Sequence, residues 1–360
     1  MSILPEILEN ERTLSPMFSS FFKEFKLNQL FRKCNIHKEK GIPVIEVFQM
    51  IFLLAFMGKS LPALLHSKQN PFQGKKDTVY RFLQQTRCNW RKFLLLLSTK
   101  VVNEALLPFT TKKRYTWVVD DSPYERPRSQ CVEGLSRFFD HSTGRFSRDF
   151  RMLTLGLTDG ATFTPFSFSL LSSHQKENQL CPMDPSVDKQ SLRARIRKES
   201  QEKAPEVLFK LLDGALKYCL LVHTILFDSW FAFPAIIRKC SSRGLSVVCM
   251  LKNTSKIYYS FGGKPFSLSS LFARIQKRPN GNIIGSAVVN LNLAGEPLLA
   301  RIVFVKSEKQ KSQWLALLST DLSLSEEEIV TLYGKRWDGG LLQDGEILLE
   351  TGSGVSSQVL

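Results

Sequence analysis

Three aspartates directly follow runs of apolar residues that are typical of β-strands. One run covers 115–119 and precedes Asp120 and Asp121, and another covers 220–227 and precedes Asp228. A sheet holds the backbone at a strand end firmly, while the side chain there faces the open edge. Carboxylate oxygens suit Mg²⁺ (or Mn²⁺), and two such ions can assist phosphodiester cleavage or strand transfer. This pattern therefore predicts a metal site for phosphoryl transfer.

Asp121 and Asp228 can share a metal only if their two strands belong to one sheet, so we expect those strands to be neighbours in a mixed sheet. Alternation along a strand places Asp121 on the face of Trp117 and Val119, and Asp120 on the opposite face. The pattern does not indicate which face carries the chemistry. An aspartate after a strand often only caps a turn, and that alternative stays open.

The composition indicates a globular protein with a polyanionic partner. Among 360 residues, 49 are Lys or Arg and 33 are Asp or Glu, which gives a formal net charge of +16. Neutralising phosphates with basic side chains releases condensed counterions, so a charge of this sign favours binding to nucleic acid. A basic protein that is merely soluble is the alternative. The apolar fraction of 43% is ample for a buried core.

Neither a zinc site nor a membrane segment is expected. The seven cysteines are dispersed without a C-x-x-C pair, as befits buried thiols in a reducing cytoplasm. The longest apolar run, 47–57, is shorter than the roughly 20 residues that span a bilayer. The N-terminus lacks the basic start and apolar core of a signal peptide.

Residues 1–110 are predicted to form a mostly helical N-terminal region that could bind DNA. Apolar spacing predicts helices over 44–57 and 91–102. The segment 61–90 could form a helix–turn–helix that reads DNA. Its basic residues are Lys75, Lys76, Arg81 and Arg87. An ordinary helical packing unit with a solvated polar face is the alternative, and we favour it.

Residues 111–252 are predicted to form the first part of an α/β core. The predicted elements are strands over 115–119, 150–157, 162–171, 220–227 and 246–251 and a helix over 231–242. The first three strands suggest an antiparallel meander. The later β–α–β order favours parallel neighbours.

Residues 253–320 are predicted to form a β-rich insertion, followed by a last core helix over 321–338. Strand-like runs punctuated by glycine and proline turns cover the insertion. Ser325 is expected to cap the helix, because acidic residues fill the first turn after it.

Three segments together resemble a bacterial insertion-sequence DDE transposase of the IS-four-like family. They are V-V-D-D-S-P-Y-E-R-P at 118–127, L-F-D-S-W-F-A at 226–232 and L-Y-G-K-R-W-D at 332–338. The resemblance spans about 110–338, and the order and spacing of the segments carry it. It implies an RNase-H-like catalytic core, which is an α/β fold with a mixed sheet and flanking helices.

The resemblance also implies roles for single residues. Asp121 resembles the first catalytic and metal-binding acid, and Asp228 resembles the second. Tyr333 and Arg336 match the first two positions of a Y-x-x-R-x-x-x-E signature that lies near the transposon end. Lys252 resembles a basic DNA contact. Alternatively, Tyr333 packs on the core and Lys252 is merely exposed.

The signature is interrupted at its third position. The family has Glu where this chain has Gly340, and Ile347 stands at the position of an expected Lys. Residues 339–360 contain five glycines and no Lys or Arg, which predicts an aberrant, disordered tail after an incomplete last helix. A reading-frame change or truncation near Trp337 would produce this pattern. Glu346 lies beyond the expected position of the acid.

The resemblance therefore implies a DNA transposase that cleaves and joins insertion-sequence ends with Mg²⁺ (or Mn²⁺). Its partners would be double-stranded DNA, at the transposon ends and at the target, and a second copy in an active homodimer. We expect a bacterial cytoplasmic, nucleoid-associated protein with no membrane partner. The missing third acid predicts a defective copy. The alternatives are a non-enzymatic DNA-binding inhibitor of transposition and a structure-specific nuclease.

Overall fold

A computed structural model provides the structure of the chain. The structure describes residues 11–57, 60–66, 72, 74–106, 115–140, 144–184, 186–219, 222–292, 296–307 and 313–338. The predicted tail at 339–360, including Gly340, lies outside these residues.

Six helices build the described part of the N-terminal region. They are α1 (Glu11–Glu24), α2 (Leu27–Lys33), α3 (Val44–Met57), α4 (Leu61–Leu65), α5 (Lys76–Leu83) and α6 (Trp90–Val101). Aromatic side chains form much of their shared core; for example, the rings of Phe31 and Phe93 stack at 4.9 Å. The predicted helices over 44–57 and 91–102 are confirmed, the second displaced by one residue.

Eleven strands of the described residues form a single sheet. They are β1 (Thr116–Glu125), β2 (Ser136–Asp140), β3 (Arg145–Thr158), β4 (Phe163–Leu171), β5 (Thr224–Phe227), β6 (Ser246–Leu251), β7 (Tyr259–Phe261), β8 (Lys264–Phe266), β9 (Ile283–Asn290), β10 (Leu299–Lys306) and β11 (Trp314–Ser319). Their order is β2-β3-β1-β5-β6-β11-β10-β9-β7-β8, and β4 pairs with β3.

The predicted mixed sheet is confirmed. Strands β1, β3 and β4 form the antiparallel meander, while β1, β5 and β6 run parallel to one another. Helix α9 (Pro234–Ser241) connects β5 to β6, as the β–α–β order predicts. The strands that precede the candidate acids are therefore neighbours. The whole arrangement is an α/β fold of the RNase-H-like kind.

Strand β1 does not end before the aspartates, contrary to the prediction. It continues through Asp120 and Asp121 to Glu125, because the long strand β3 pairs with it over its whole length. Its pairing with β5 ends at Val118 and Leu226. On one side of β1, both aspartates therefore pair with β3. On the other side, the pairing with β5 has already ended, which leaves an open edge next to them.

The segment predicted as a β-rich insertion extends the central sheet. Strand β11 pairs with β6, and β10, β9, β7 and β8 follow outward. Helix α10 (Leu268–Arg274) packs into the main core through Leu268 and Leu271. The sequence pattern also missed β2, a short strand at the opposite edge of the sheet.

Helices cover both faces of the sheet. Helices α7 (Leu192–Ser200) and α8 (Ala204–Leu216) precede β5 in the chain, and the crossover helix α9 follows it. The last two pack on the face of Trp117 and Ile225. Helix α11 (Glu326–Asp338) lies on the opposite face, against Val118 and Leu226. No helix of the described residues has both the length and the apolar character that crossing a lipid bilayer requires.

A reciprocal cap starts α11, as the sequence predicts. The Glu328 N–H donates to Ser325 Oγ at 3.1 Å, and the Ser325 N–H donates to the Glu328 carboxylate at 2.8 Å. Ile329 and Tyr333 then face the sheet. This packing directs Arg336, one turn further on, toward the carboxyl end of β5.

Candidate active site

The candidate site lies where β1 runs past the end of β5. Trp117 is paired with Ile225 and Val118 with Leu226, so Asp120 comes level with Asp228 two residues later. Because side chains alternate along a strand, Asp120 shares the face of Val118, on which α11 packs.

A single guanidinium joins the two aspartates. Arg336 Nη2 lies 3.6 Å from Asp120 Oδ1 and 3.8 Å from Asp228 Oδ2. The side chain of Arg336 is only 5% exposed, whereas that of Asp228 is 36% exposed. The acid pair is thus held around a buried cation and opens to solvent on the side of Asp228.

Local hydrogen bonds orient each of these carboxylates. Ser122 Oγ donates to Asp120 Oδ2. The backbone N–H of Trp230 donates to Asp228 Oδ1 at 3.0 Å. The oxygens that approach Arg336 are Asp120 Oδ1 and Asp228 Oδ2, which do not accept these two hydrogen bonds. The two hydrogen bonds therefore direct one oxygen of each acid toward the guanidinium.

Asp121 lies on the other face of β1. Arg151 of β3 donates from Nε to Asp121 Oδ1 at 3.1 Å and from Nη2 to Oδ2. The Asp121 side chain is 5% exposed, and the Arg151 guanidinium lies 5.1 Å from the ring centre of Trp230. The acid that shares a cation with Asp228 is therefore Asp120. The charge of Asp228 also acts on Asp121 and raises its pKa, and a metal shared by Asp121 and Asp228 stays a prediction.

Burial is the main influence on both adjacent acids. It raises the pKa of Asp120, while the Ser122 hydrogen bond and the Arg336 charge act in the opposite direction. It also raises the pKa of Asp121, against the charge and hydrogen bond of Arg151. A second cation near Asp120 would favour its ionised form.

Two predicted DNA-binding residues are not exposed. Tyr333 is completely buried, its hydroxyl accepts from Arg336 Nη1 at 3.4 Å, and burial raises its pKa to about 12. Tyr333 packs on the core, as the alternative interpretation has it, and its contact with DNA stays a prediction. Arg336 is buried beside the acids. Lys252 is exposed just after β6, and its DNA contact stays a prediction.

The donor set suits a hard divalent cation. Asp120 and Asp228 offer carboxylate oxygens, and Mg²⁺ usually completes its coordination with water and substrate phosphate oxygens. Within the described residues, no group of three or more His, Cys, Asp or Glu side chains is placed to hold a metal. The two aspartates are thus a fitting but incomplete protein ligand set.

The sequence motifs assign no role to two side chains of this site. Ser122 stands in the motif directly after the acid pair, and Arg151 lies outside all three motifs. Arg336 was expected at DNA and lies between two acids. Because residues two apart in a strand share a face, Asp120 lies on the same face as the apolar Val118. This spacing is visible in the sequence and predicts that Asp120 faces the same packed layer as Val118.

Comparison with known families adds one finding. A family sequence model described as "DDE superfamily endonuclease" matches residues 52–264, which is more than half of the chain. The matched region contains Asp120, Asp121 and Asp228. No curated protein matches the sequence.

Proposed function

The chain belongs to the DDE superfamily of endonucleases, and on this premise we propose that it is a DNA transposase of the insertion-sequence type, from the IS-four-like group. The reaction would be cleavage and strand transfer at the ends of the mobile element. The observation that carries this proposal is the approach of Asp120 and Asp228 to one cationic nitrogen at the strand ends.

Endonucleases of this superfamily generally depend on a divalent metal, and Asp120 and Asp228 would hold Mg²⁺ or Mn²⁺ in this chain. When bound, the ion would stabilise negative charge on the attacking and leaving oxygens of a phosphodiester. The Ser122 hydroxyl and the Trp230 N–H orient the two acids. The sheet and these hydrogen bonds together preorganise the ligands, which limits the reorganisation needed when substrate arrives.

Arg336 has a positioning role in this proposal. Two carboxylates in a partly buried site repel each other, and the guanidinium offsets their charge when no metal is bound. Arg151 does the same for Asp121 on the other face of β1. The two arginines therefore offset the negative charge of the aspartates within one short stretch of sheet.

The substrate would be double-stranded DNA, both at the element's ends and at the target. The net charge of +16 supports a polyanionic partner. The helical region within 1–110 would add DNA contacts, and Lys252 is exposed at the sheet end where the acids lie. We further propose a homodimer as the active form, on the nucleoid of a bacterial cytoplasm.

One sequence feature favours a second candidate function. Gly340 stands where the resembling family has its third acid. A chain without that ligand would bind DNA and cleave it poorly, and it would then inhibit transposition by occupying the ends. Intact transposase and inhibitor differ only in their catalytic rate.

A binding and nicking experiment separates these possibilities. The substrate would be a supercoiled plasmid that carries the DNA flanking this gene, tested with and without Mg²⁺. Asp120→Asn and Asp228→Asn are compared with Asp213→Asn, a matched control whose acid pairs with Arg243 away from the site. We expect DNA binding by all four proteins and weak, Mg²⁺-dependent nicking by only the wild type and the control.

Other outcomes have defined meanings. Equal nicking by the wild type and both site variants would contradict the proposed catalytic pair. Fast nicking and joining by the wild type would support the transposase and exclude the inhibitor. Nicking without any joining would support a structure-specific nuclease.

A further inference from the structure

The hairpin formed by β2 and β3 carries exposed aromatic rings at the edge of the sheet. The side chain of Phe146 is 63% exposed and that of Phe139 is 44% exposed. Their rings meet edge to face, with 5.2 Å between centroids, and the Arg137 guanidinium lies 5.9 Å from the Phe146 ring centre. Large exposed aromatic side chains beside a cation are typical of a binding surface.

The strand register places these side chains on one side of the hairpin. Phe139 is paired with Phe146, and Arg137 is paired with Arg148. Residues paired directly across two strands point to the same face, as do residues two apart in one strand. The two phenylalanines and two arginines therefore form one surface, here called the hairpin face.

On the side of the hairpin face, strand β3 leads toward the candidate active site, and Phe150 between them is buried with Leu135 and Cys181. Every second residue of β3 from Phe146 onward points to this side, and Thr154, eight residues along, is paired with Asp120. Tyr124 of β1 lies between them on the same face, with the Arg126 guanidinium 4.0 Å from its ring centre. An elongated molecule that lies across the acid pair and over the residues covering Phe150 would reach the hairpin.

The charge of this region matches a nucleic-acid backbone. The exposed arginines on and next to the hairpin are Arg126, Arg128, Arg137, Arg145 and Arg148. Arginine is common at duplex DNA surfaces because it binds phosphate oxygens, and exposed rings beside it can pack against the sugars of the backbone.

We propose that the hairpin face binds duplex DNA at a fixed distance from the cleaved phosphate. Eight residues of strand span about 26 Å at roughly 3.3 Å per residue. Duplex DNA rises about 3.4 Å per base pair, so the contact lies seven or eight base pairs, as a rough count, from the acid pair. Only this position relative to the cut depends on the proposed function.

Salt dependence of DNA binding tests the charged part of the proposal. Arg137→Ala/Arg148→Ala is compared with Lys217→Ala/Arg238→Ala, a control that removes two exposed charges from α9 and the end of α8, on the opposite side of the sheet. The probe is a random-sequence duplex labelled for fluorescence anisotropy. The hairpin variant should lower the slope of log affinity against log salt by about 1.8, since each lost phosphate contact lowers it by about 0.9. The control should leave the slope unchanged.

A second variant tests the aromatic part. Phe139→Ser/Phe146→Ser should bind the duplex about tenfold more weakly with an unchanged salt slope, because apolar contacts release no counterions. Both substitutions lie at exposed positions, and an unchanged melting curve checks that the protein still folds.

The outcomes distinguish this inference from the proposed function. If the wild type binds DNA and both hairpin variants match it in affinity and slope, the hairpin proposal is overturned and the proposed function stands. If Phe139→Ser/Phe146→Ser instead changes only the sedimentation coefficient, the surface joins two copies of the chain, which also overturns it. If the wild type binds no DNA, both proposals fail.

Discussion

Two aspartates that are adjacent in sequence have different environments in this protein. Asp120 faces α11 and shares the Arg336 guanidinium with Asp228, while Asp121 pairs with Arg151 on the other face. The sequence predicts that the two must face opposite ways, because side chains alternate along a strand. It does not predict which face receives the last helix, since that helix begins about 200 residues later in the chain.

Replacing Asp120 by Asn should stabilise the metal-free protein at neutral pH. Burial raises the pKa of Asp120, so the folded state holds this proton more tightly than the unfolded chain does. The protonated Asp120 carboxyl therefore contributes to stability below the unfolded pKa, and this contribution is lost as pH rises through the folded value. At neutral pH, Asp120→Asn should then raise the free energy of unfolding by about 1 kcal/mol, a size typical of stabilising substitutions.

Urea denaturation at neutral and acidic pH, with and without Mg²⁺, measures this effect. The gain should vanish at acidic pH, and Mg²⁺ should stabilise the wild type alone. A loss of stability in Asp120→Asn at neutral pH, with an unchanged response to Mg²⁺, would refute the assignment.

Arg336→Gln should have the opposite effect on stability. It removes the cation between Asp120 and Asp228 and leaves two neighbouring carboxyl groups without a compensating charge. We expect a loss of about 2 kcal/mol without metal, less than for a fully buried pair because Asp228 is partly exposed. Calorimetry should show that Mg²⁺ restores part of the melting temperature. Arg336→Lys, which keeps the charge, should lose less, and equal losses in both variants would contradict an electrostatic role.

At the scale of elements, a boundary set by neighbouring residues is predicted from the sequence, whereas a boundary set by pairing with a distant strand is not. The start of α11 is predicted, because a serine followed three residues later by Glu328 is a local cap. The end of β1 is not, because β3 pairs with it beyond the last apolar residue. The strand β2 was missed for a similar reason: it is short, exposed and defined by its pairing with β3.

Ser325→Ala should weaken the attachment of α11 at its first turn. The variant leaves the Glu328 N–H without its acceptor and costs about 1 kcal/mol, the usual value for loss of an N-cap. Ser323→Ala is the control, because its hydroxyl donates to the Asp321 carboxylate in the preceding turn and not to the first turn of α11. Chemical denaturation compares the two, and equal stability in both would show that the cap contributes nothing.

At the scale of the whole molecule, one sheet and the packing of α6 against it join the parts of the chain. The segment 253–320 adds strands to the central sheet through β11, and its glycine and proline turns gave no sign of which strand it joins. The N-terminal helices meet the core where Arg91 donates twice to Glu199, at 3.0 and 2.7 Å. Ser98 of α6 also donates to the Pro165 carbonyl at 2.5 Å.

The Arg91–Glu199 pair should make this docking sensitive to acid. Burial raises the pKa of Glu199, but the hydrogen bonds and charge of Arg91, with help from Ser169, outweigh burial, so the pKa is lowered overall. Its stabilising contribution is present above the unfolded pKa and is lost as pH falls through the folded value. Glu199→Gln should remove that pH dependence and cost about 2 kcal/mol at neutral pH.

Hydrogen exchange of the α6 amides, followed by mass spectrometry across a pH series, measures the effect. Glu202→Gln is a matched control, because Glu202 pairs with the exposed Lys210. An identical acid dependence in the wild type and Glu199→Gln would show that the pair does not hold the N-terminal region.

The central claim is that Asp120 and Asp228, on one face of the sheet, hold the divalent ion. Calorimetric titration of the purified chain with Mn²⁺ tests it most directly, on the wild type and the Asn variants of Asp120, Asp121 and Asp228. The claim predicts at least a roughly tenfold weaker affinity in Asp120→Asn and Asp228→Asn, since each loses a carboxylate ligand, and wild-type affinity in Asp121→Asn. Lost binding in Asp121→Asn together with full binding in Asp120→Asn would contradict it.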